Sequence, residues 1–409
     1  VLIVMIALLI RLSPIFVGPP LIKAFDPWIQ YYTAEYLGQN GIYEYFNWHD
    51  FKSWYPEGID RYLLRPGLTF TVSVIYWVLN GLGIPIQMYD ICYFFPAFAG
   101  ALTVLVMYFL GKEILDKRTG LLAAFFLAFN PGHMQRTVAG FLDNETIGIL
   151  GTLLTILFFI KAIKTGKIHN AIFAGMSLGY LSLSWGGYVY TLLIIPLLTG
   201  LLIILDKYSP KLLIAYAGTE SIGVFIYSLY IRFTPEGFFN DFEFLAVFLF
   251  SVVLIIYHIF YRQKTLNPRF YNTTLTFLRW TIIPIIIAGA IILWVFPDII
   301  PFGFDKRFTS VFSPLIRKDL QLAASVAEHM PSPWSVFCYN TLIPSLLVPV
   351  GIYFCIKRGN EEDYLIIIYI LTLYYFTGSM IRIILLFAPA VTLIGSYGLS
   401  NILKLFGSF

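Results

Sequence analysis

Long apolar runs broken by short polar connections fill this chain. A helical span needs about 20 apolar residues. Runs of that kind lie at 1–17, 89–111, 119–131 with an extension, 146–163, 170–185, 187–205, 211–231, 243–261, 278–297, 334–356, 362–378 and 381–403. The pattern predicts an all-α, polytopic transmembrane helical bundle of about 12 spans. A further apolar stretch, 67–86, is interrupted by Asn80, Gly81 and Gly83. Charge decides whether it crosses. If it stays out of the membrane, the basic connections Lys112–Arg118, Lys161–Lys167, Lys207–Lys211, Arg262–Arg279 and Lys357-Arg358 share one face. The positive-inside rule makes that face cytoplasmic. If it crossed, Lys112–Arg118 would move outside and Asp26 would part from Asp143. The expectation is an interfacial or re-entrant helix inside a long external loop. External loops then cover about 18–88, 131–145 and 298–333, and the C-terminus returns to the cytoplasmic side.

Composition agrees with this reading. Of 409 residues, 58% are hydrophobic and 12% charged, where a soluble domain carries about 25% charged. The net charge of +4 is spread without a basic run, so no nucleic-acid surface is expected. Cys92, Cys338 and Cys355 stand far apart in or beside apolar runs, where a small packing role suits them better than a metal or disulfide. Val1–Ile10 reads as a first span lacking some residues rather than a cleaved leader.

Against this background the acids are informative. Asp26, Asp143, Glu145 and Glu328 sit at or near the ends of apolar runs, and the topology puts all four on the external face. A carboxylate near hydrocarbon is expensive and marks a candidate site. Each also has a plainer reading: Asp26 as a turn residue before Pro27, Asp143 and Glu145 as partners of a helix N-terminus. Together, Asp26, Asp143 and Glu145 would make the oxygen-rich donor set that Mg²⁺ or Mn²⁺ prefers, with room for a phosphate. His49, His133 and His329 are scattered and offer no zinc spacing. Asn144-Glu145-Thr146 matches the N-glycosylation acceptor pattern, but it abuts the membrane, where a glycan fits poorly. Glu220 lies within an apolar run, and a satisfied intrahelical or interhelical bond is expected for it.

Several motifs, taken in order, resemble one family. They are Phe25-Asp-Pro-Trp-Ile-Gln-Tyr-Tyr32, Ser53-Trp-Tyr-Pro-Glu-Gly58, Arg65-Pro-Gly-Leu68, and Pro131-Gly-His-Met-Gln-Arg-Thr-Val-Ala-Gly-Phe-Leu-Asp-Asn-Glu145. Ser184-Trp-Gly-Gly-Tyr-Val189, Ser325-Val-Ala-Glu-His-Met-Pro-Ser-Pro-Trp334 and Met380-Ile-Arg-Ile383 complete the set. The chain resembles the transmembrane part of the catalytic subunit of N-glycosylation oligosaccharyltransferases, membrane glycosyltransferases of the GT-C type. The resemblance implies a lipid-linked oligosaccharide donor on a polyprenyl phosphate or diphosphate, and an acceptor polypeptide containing Asn-x-Ser/Thr. It implies Mn²⁺ or Mg²⁺ held by Asp26, Asp143 and Glu145, and an acceptor carboxamide bound by Asp26 and Glu328. Arg382 would face the donor or the acceptor peptide; Arg136, Tyr188 and His49 are further substrate contacts. The family's Trp-Trp-Asp-Tyr-Gly motif, carried on a globular C-terminal domain that reads the acceptor, is absent from residues 1–409, so these residues are expected to be the catalytic membrane domain alone. Two other functions remain open at this stage: a glycosyltransferase that elongates a lipid-linked glycan, and a flippase for the lipid-linked oligosaccharide. The first would not need Glu328 to bind a carboxamide; the second would favour charged residues mid-span on broken helices, whereas these acids cluster at span ends, Glu220 apart.

Overall fold

The computed structural model describes residues 1–230, 241–295 and 325–407. The first part of the expected loop 298–333 therefore lies outside the described residues. The apolar runs form helices throughout: α1 (Leu2–Leu12), α2 (Phe25–Phe46), α3 (Gly67–Gly81), α4 (Met88–Ile114), α5 (Lys117–Ala128), α6 (Pro131–Met134), α7 (Asn144–Thr165), α8 (Ile168–Ser184), α9 (Tyr188–Ile204), α10 (Pro210–Ser228), α11 (Phe242–Tyr261), α12 (Pro268–Val295), α13 (Trp334–Arg358), α14 (Glu361–Ser379) and α15 (Ile384–Phe406). A two-stranded hairpin, β1 (His49–Asp50) and β2 (Ile59–Asp60), pairs antiparallel in the first loop.

By length and composition, five helical stretches among the described residues are apolar enough to cross a membrane alone: Met88–Ile114, Asn144–Thr165, Phe242–Leu266, Trp334–Arg358 and Ile381–Phe406. The expected run 119–131 gives a shorter helix. α5 has 12 residues, about 18 Å at 1.5 Å per residue, because Asn130 turns the chain by accepting the His133 backbone N–H at 3.1 Å. The interrupted stretch behaves similarly. α3 has 15 residues, about 22 Å against a hydrocarbon core of about 30 Å. Its first residue, Gly67, lies so close to Ser184 that a Cβ would meet the Ser184 side chain. Soon after its end, Tyr89 at the start of α4 donates to the Pro20 carbonyl at 2.8 Å.

Small residues let the helices approach. An added Cβ at Gly120 would strike the Tyr108 carbonyl oxygen of α4 at 2.6 Å, and one at Gly395 would strike the Pro344 carbonyl oxygen of α13 at 2.4 Å. Such contacts are the usual way spans gain dispersion energy without a hydrophobic driving force. They have a cost at Glu220. That side chain is 2% exposed, yet neither carboxyl oxygen has a hydrogen-bond partner, contrary to the satisfied bond expected for it. The α8 face packs on Gly218, Ile222 and Ile226 of α10 instead, and Tyr216, one turn before Glu220, gives its hydroxyl to the Val247 carbonyl at 3.1 Å.

The polar connections segregate to two ends. At one end, Arg358 donates to the Ile114 carbonyl at 2.9 Å, Lys207 to the Gly359 carbonyl at 2.9 Å, Lys164 pairs with Glu362 at 3.7 Å, and Lys404 pairs with Asp116 at 3.2 Å. Asp26, Asp143, Glu145, Glu328 and Arg382 gather at the other.

Candidate active site

Three backbone contacts bring Asp26 to Asp143. The Ala139 N–H donates to the Arg11 carbonyl at 2.9 Å, Gly140 to Tyr93 at 2.8 Å, and Lys23 to Gly140 at 2.9 Å. Gly140 is required there. Its φ is +85°, and a Cβ would lie 2.6 Å from the Leu21 carbonyl oxygen. Arg11, fully buried, anchors the same loop from inside the bundle. Its guanidinium donates to Thr137 Oγ1 at 2.9 Å, to the Ala7 and Ala128 carbonyls at 3.1 Å each, and to His133 Nδ1 at 2.9 Å. Burial and the Arg11 charge push His133 well below its usual range, so it accepts as a neutral ring.

Asp143 caps α7 in extended conformation and accepts the Asn144 N–H at 2.7 Å. Glu145, in the first turn of α7, is closed from water and pairs with Arg382 at 2.7 Å. Arg382 is held by the short turn Ile381–Ile383, and that turn also positions Glu328. The Ile381 N–H donates to the Met330 carbonyl at 3.0 Å and the Ser332 N–H to Gly378 at 3.1 Å. Glu328 then pairs with Arg136 and lies 4.0 Å from Arg382 Nε. Arg136 in turn lies 3.5 Å from Asp143.

These groups divide two cavities. One, of about 470 Å³, is lined by Asp26, Asp143, Asn144, Arg65 and Arg382 with Thr33, Tyr45 and Tyr227. The other, of about 450 Å³, is lined by Asp26, Arg136, Glu328, Gln135 and Phe141. Asp26 belongs to both walls. Tyr188 and His49 line neither. The Tyr188 hydroxyl donates to Glu243 at 3.1 Å, and its ring lies under the Arg65 guanidinium, 4.8 Å from the centroid. His49 is turned into the hairpin, with Nδ1 at 2.6 Å from Asp60 and Nε2 at 2.8 Å from the Glu57 carbonyl. Arg65 was not singled out by sequence, although a cation inside the motif Arg65-Pro-Gly-Leu68 at the head of an apolar helix was a readable signal.

The donor chemistry of the acids suits a cation. Burial, then the neighbouring Glu145 charge, pushes the Asp143 carboxyl up to about 8. Asp143 Oδ2 and Glu145 Oε2 are buried without hydrogen-bond partners. Two crowded carboxylates with spare oxygens fit a divalent ion, whose charge would relieve exactly this crowding's repulsion. Among the described residues, no three acidic, His or Cys side chains are already clustered for a metal. Asp26 lines the same cavity as Asp143, and its charge adds to the upward push on the Asp143 carboxyl.

Known proteins share this arrangement of helices. A family model described as "Oligosaccharyl transferase STT3, N-terminal" matches residues 1–395. Dolichyl-diphosphooligosaccharide–protein glycosyltransferase subunit STT3B of Arabidopsis thaliana is 36% identical over 98% of this chain and 55% of its own length. Subunit stt-3 of Caenorhabditis elegans is 33% identical over 95% of this chain and 52% of its own. The chain thus spans about half the length of the curated relatives it matches. Among solved structures, the apo Archaeoglobus fulgidus oligosaccharyltransferase superposes with a TM-score of 0.75 at 19% identity, over 98% of this chain and 50% of that one. The archaeal AglB from the same organism, in complex with an inhibitory peptide and a dolichol-phosphate, gives 0.77 at 19% identity, over 98% and 50%. A complex of the A. fulgidus enzyme with Zn and sulfate gives 0.71 at 18% identity, over 99% and 49%.

Proposed function

The chain belongs to the oligosaccharyl transferase STT3 family, and we propose that it provides the catalytic membrane domain for moving a preassembled glycan from a polyprenyl-phosphate or diphosphate carrier to the side-chain amide of Asn in Asn-x-Ser/Thr. One observation carries the reading: Asp26 stands in the wall between a cavity lined by two arginines and a cavity containing Glu328. The first suits a phosphate leaving group and the second an acceptor carboxamide. Related archaeal structures hold an inhibitory peptide and a dolichol-phosphate in one case and Zn and sulfate in another, which supports a site for both ligand classes.

The physical task is to make an amide nitrogen attack. Its lone pair is delocalised into the carbonyl, a resonance reflected in a rotation barrier of about 18–20 kcal/mol. Asp26 and Glu328 accept the two carboxamide N–H bonds from opposite sides, which orients the nitrogen and weakens that conjugation. Arg136 fixes Glu328 and leaves its second oxygen toward the acceptor. Arg382 presents its remaining N–H groups to the leaving phosphate. Asp26, Asp143 and Glu145 are the residues that would hold Mn²⁺ or Mg²⁺, which when bound supplies Lewis-acid neutralisation of charge on the leaving phosphate. The bundle is read as a GT-C type array of about 12 spans with α3 outside the count. Its basic end is cytoplasmic and its acidic end extracytoplasmic. The elongating transferase is disfavoured because it has no use for Glu328 in one cavity with Asp26, and the flippase because the site's acids lie at span ends rather than mid-span.

The test is Asp26→Asn and Glu328→Gln in the full-length protein. Glycan transfer to an Asn-x-Thr peptide should fall at least about 10²-fold in each, with helix content and detergent stability unchanged. Near-normal turnover in both variants would remove the carboxamide role.

A further inference from the structure

We infer that Arg65 is a donor-binding residue that reads the second phosphate of a diphosphate carrier. The inference rests on the proposed donor cavity and deepens it. Two guanidiniums line that cavity, Arg65 and Arg382, and they are not equivalent. Arg382 is committed to Glu145 at 2.7 Å and lies 4.0 Å from Glu328. Arg65 has no carboxylate within ion-pair distance among the described residues. Of its five N–H groups, Nη1 donates to the Ser182 carbonyl at the end of α8. Its plane lies over Tyr188 at 4.8 Å and Tyr227 at 5.9 Å from the ring centroids. Tyr188 is itself fixed by its bond to Glu243 at 3.1 Å. The result is a half-buried cation held in place by a carbonyl and two rings, without a direct ion pair and with its spare donors available to the cavity.

A guanidinium with free N–H groups and no bound carboxylate is open to an anion entering the cavity. Its planar fork matches a phosphate oxyanion bidentately. A single phosphate at the reacting end is already served by Arg382 and by the cation that Asp26, Asp143 and Glu145 would hold. A second phosphate would reach past it toward Arg65, with the first isoprene carbons beside Leu63 and Leu64 at the same cavity. Arg65 therefore favours diphosphate over monophosphate carriers, and Tyr188 acts through it as a positioning residue. Only non-covalent contacts are involved.

Direct binding tests this without relying on turnover. Farnesyl diphosphate and farnesyl monophosphate are titrated into the full-length protein by calorimetry at one fixed Mn²⁺ concentration. In the native protein the diphosphate should bind more tightly. Arg65→Gln should weaken diphosphate binding about 10-fold while changing monophosphate binding less than about 3-fold, since one charge-assisted bidentate contact is worth about 1.5 kcal/mol or more. Arg65→Lys, which keeps the charge and loses the fork, should fall between. A change of equal size for both probes, or none, overturns the inference and leaves the donor cavity standing. Failure of both probes to bind the native protein overturns the donor cavity itself, and the inference with it.

Discussion

Replacing Arg382 by Gln separates charge pairing from chemistry. Glu145 has a side chain with no solvent exposure, and Arg382 is its ion-pair partner at 2.7 Å. The other oxygen, Oε2, has no hydrogen-bond partner. Removing Arg382 therefore strands a buried carboxylate. Breaking one partner of a buried pair costs about 3–5 kcal/mol. Arg382 is 39% exposed, so water screens the vacated position and the lower end, about 3 kcal/mol, is expected. Glu145→Gln leaves Arg382 with Glu328 within 4.0 Å and should cost about 1 kcal/mol. In the double variant two neutral amides face each other. Its cost should be below the sum of the single costs by about 2 kcal/mol. The assay is equilibrium unfolding of the purified protein in mixed micelles, followed by tryptophan fluorescence, with divalent ions removed by chelation. Repeating it with excess Mn²⁺ should restore part of the Arg382→Gln loss and none of the double variant's. Costs that add within about 0.5 kcal/mol would refute the buried, coupled pair. An absent Mn²⁺ effect would refute the carboxylates as a cation site.

Arg11→Met leaves the Ala128 carbonyl and His133 Nδ1 without their guanidinium donor; two buried unsatisfied groups cost about 2–6 kcal/mol, measured by the same unfolding assay, and transfer should weaken as the Asp143 loop loosens. Chelating divalent ions should stop glycan transfer by the full-length protein, and Mn²⁺ or Mg²⁺ should restore it; undiminished transfer in chelator would end the metal assignment. A single cysteine introduced at 114–116 should react with an impermeant maleimide only from the cytoplasmic side of oriented vesicles, and labelling from outside would mean that α3 crosses. The Asp60 hydrogen bond raises the His49 pKa, so the stabilisation it gives is complete below the ordinary value of about 6.5 and disappears as pH rises through the raised one. Protection factors across 49–60, taken relative to intrinsic amide exchange at each pH, should fall over that rise, and a pH-independent protection would refute the link.

Much of this arrangement was legible in the chain. Apolar runs of span length became helices because a segment in lipid must satisfy its backbone internally. The acids at their ends could be assigned a common face by counting crossings and basic connections. Asp143 and Glu145, two residues apart around the start of α7, were neighbours on any reading. The likeness of Phe25–Tyr32, Pro131–Glu145 and Ser325–Trp334 to a known family pointed to the chemistry. Less legible was α5, where Asn130 shortened the expected span by capping the next turn. Glu220 was misread, because whether a donor reaches a buried side chain depends on how neighbouring helices pack, and here neither carboxyl oxygen finds one.

Periodicity and charge bias in the chain alone were enough to determine that it is helical, membrane-embedded and acidic at one edge, since these follow from local hydrophobicity and backbone hydrogen bonding. Which acid meets which arginine came only from tertiary structure. The pairings Glu145 with Arg382 and Glu328 with Arg136 span 237 and 192 residues. The anchoring of the Asp143 loop by Arg11, and the seating of Arg65 on Tyr188 and Tyr227, likewise depend on contacts between distant segments. Side-chain pairing across such separations is set by how whole helices stack and by where turns hold backbone groups, and no local pattern encodes that.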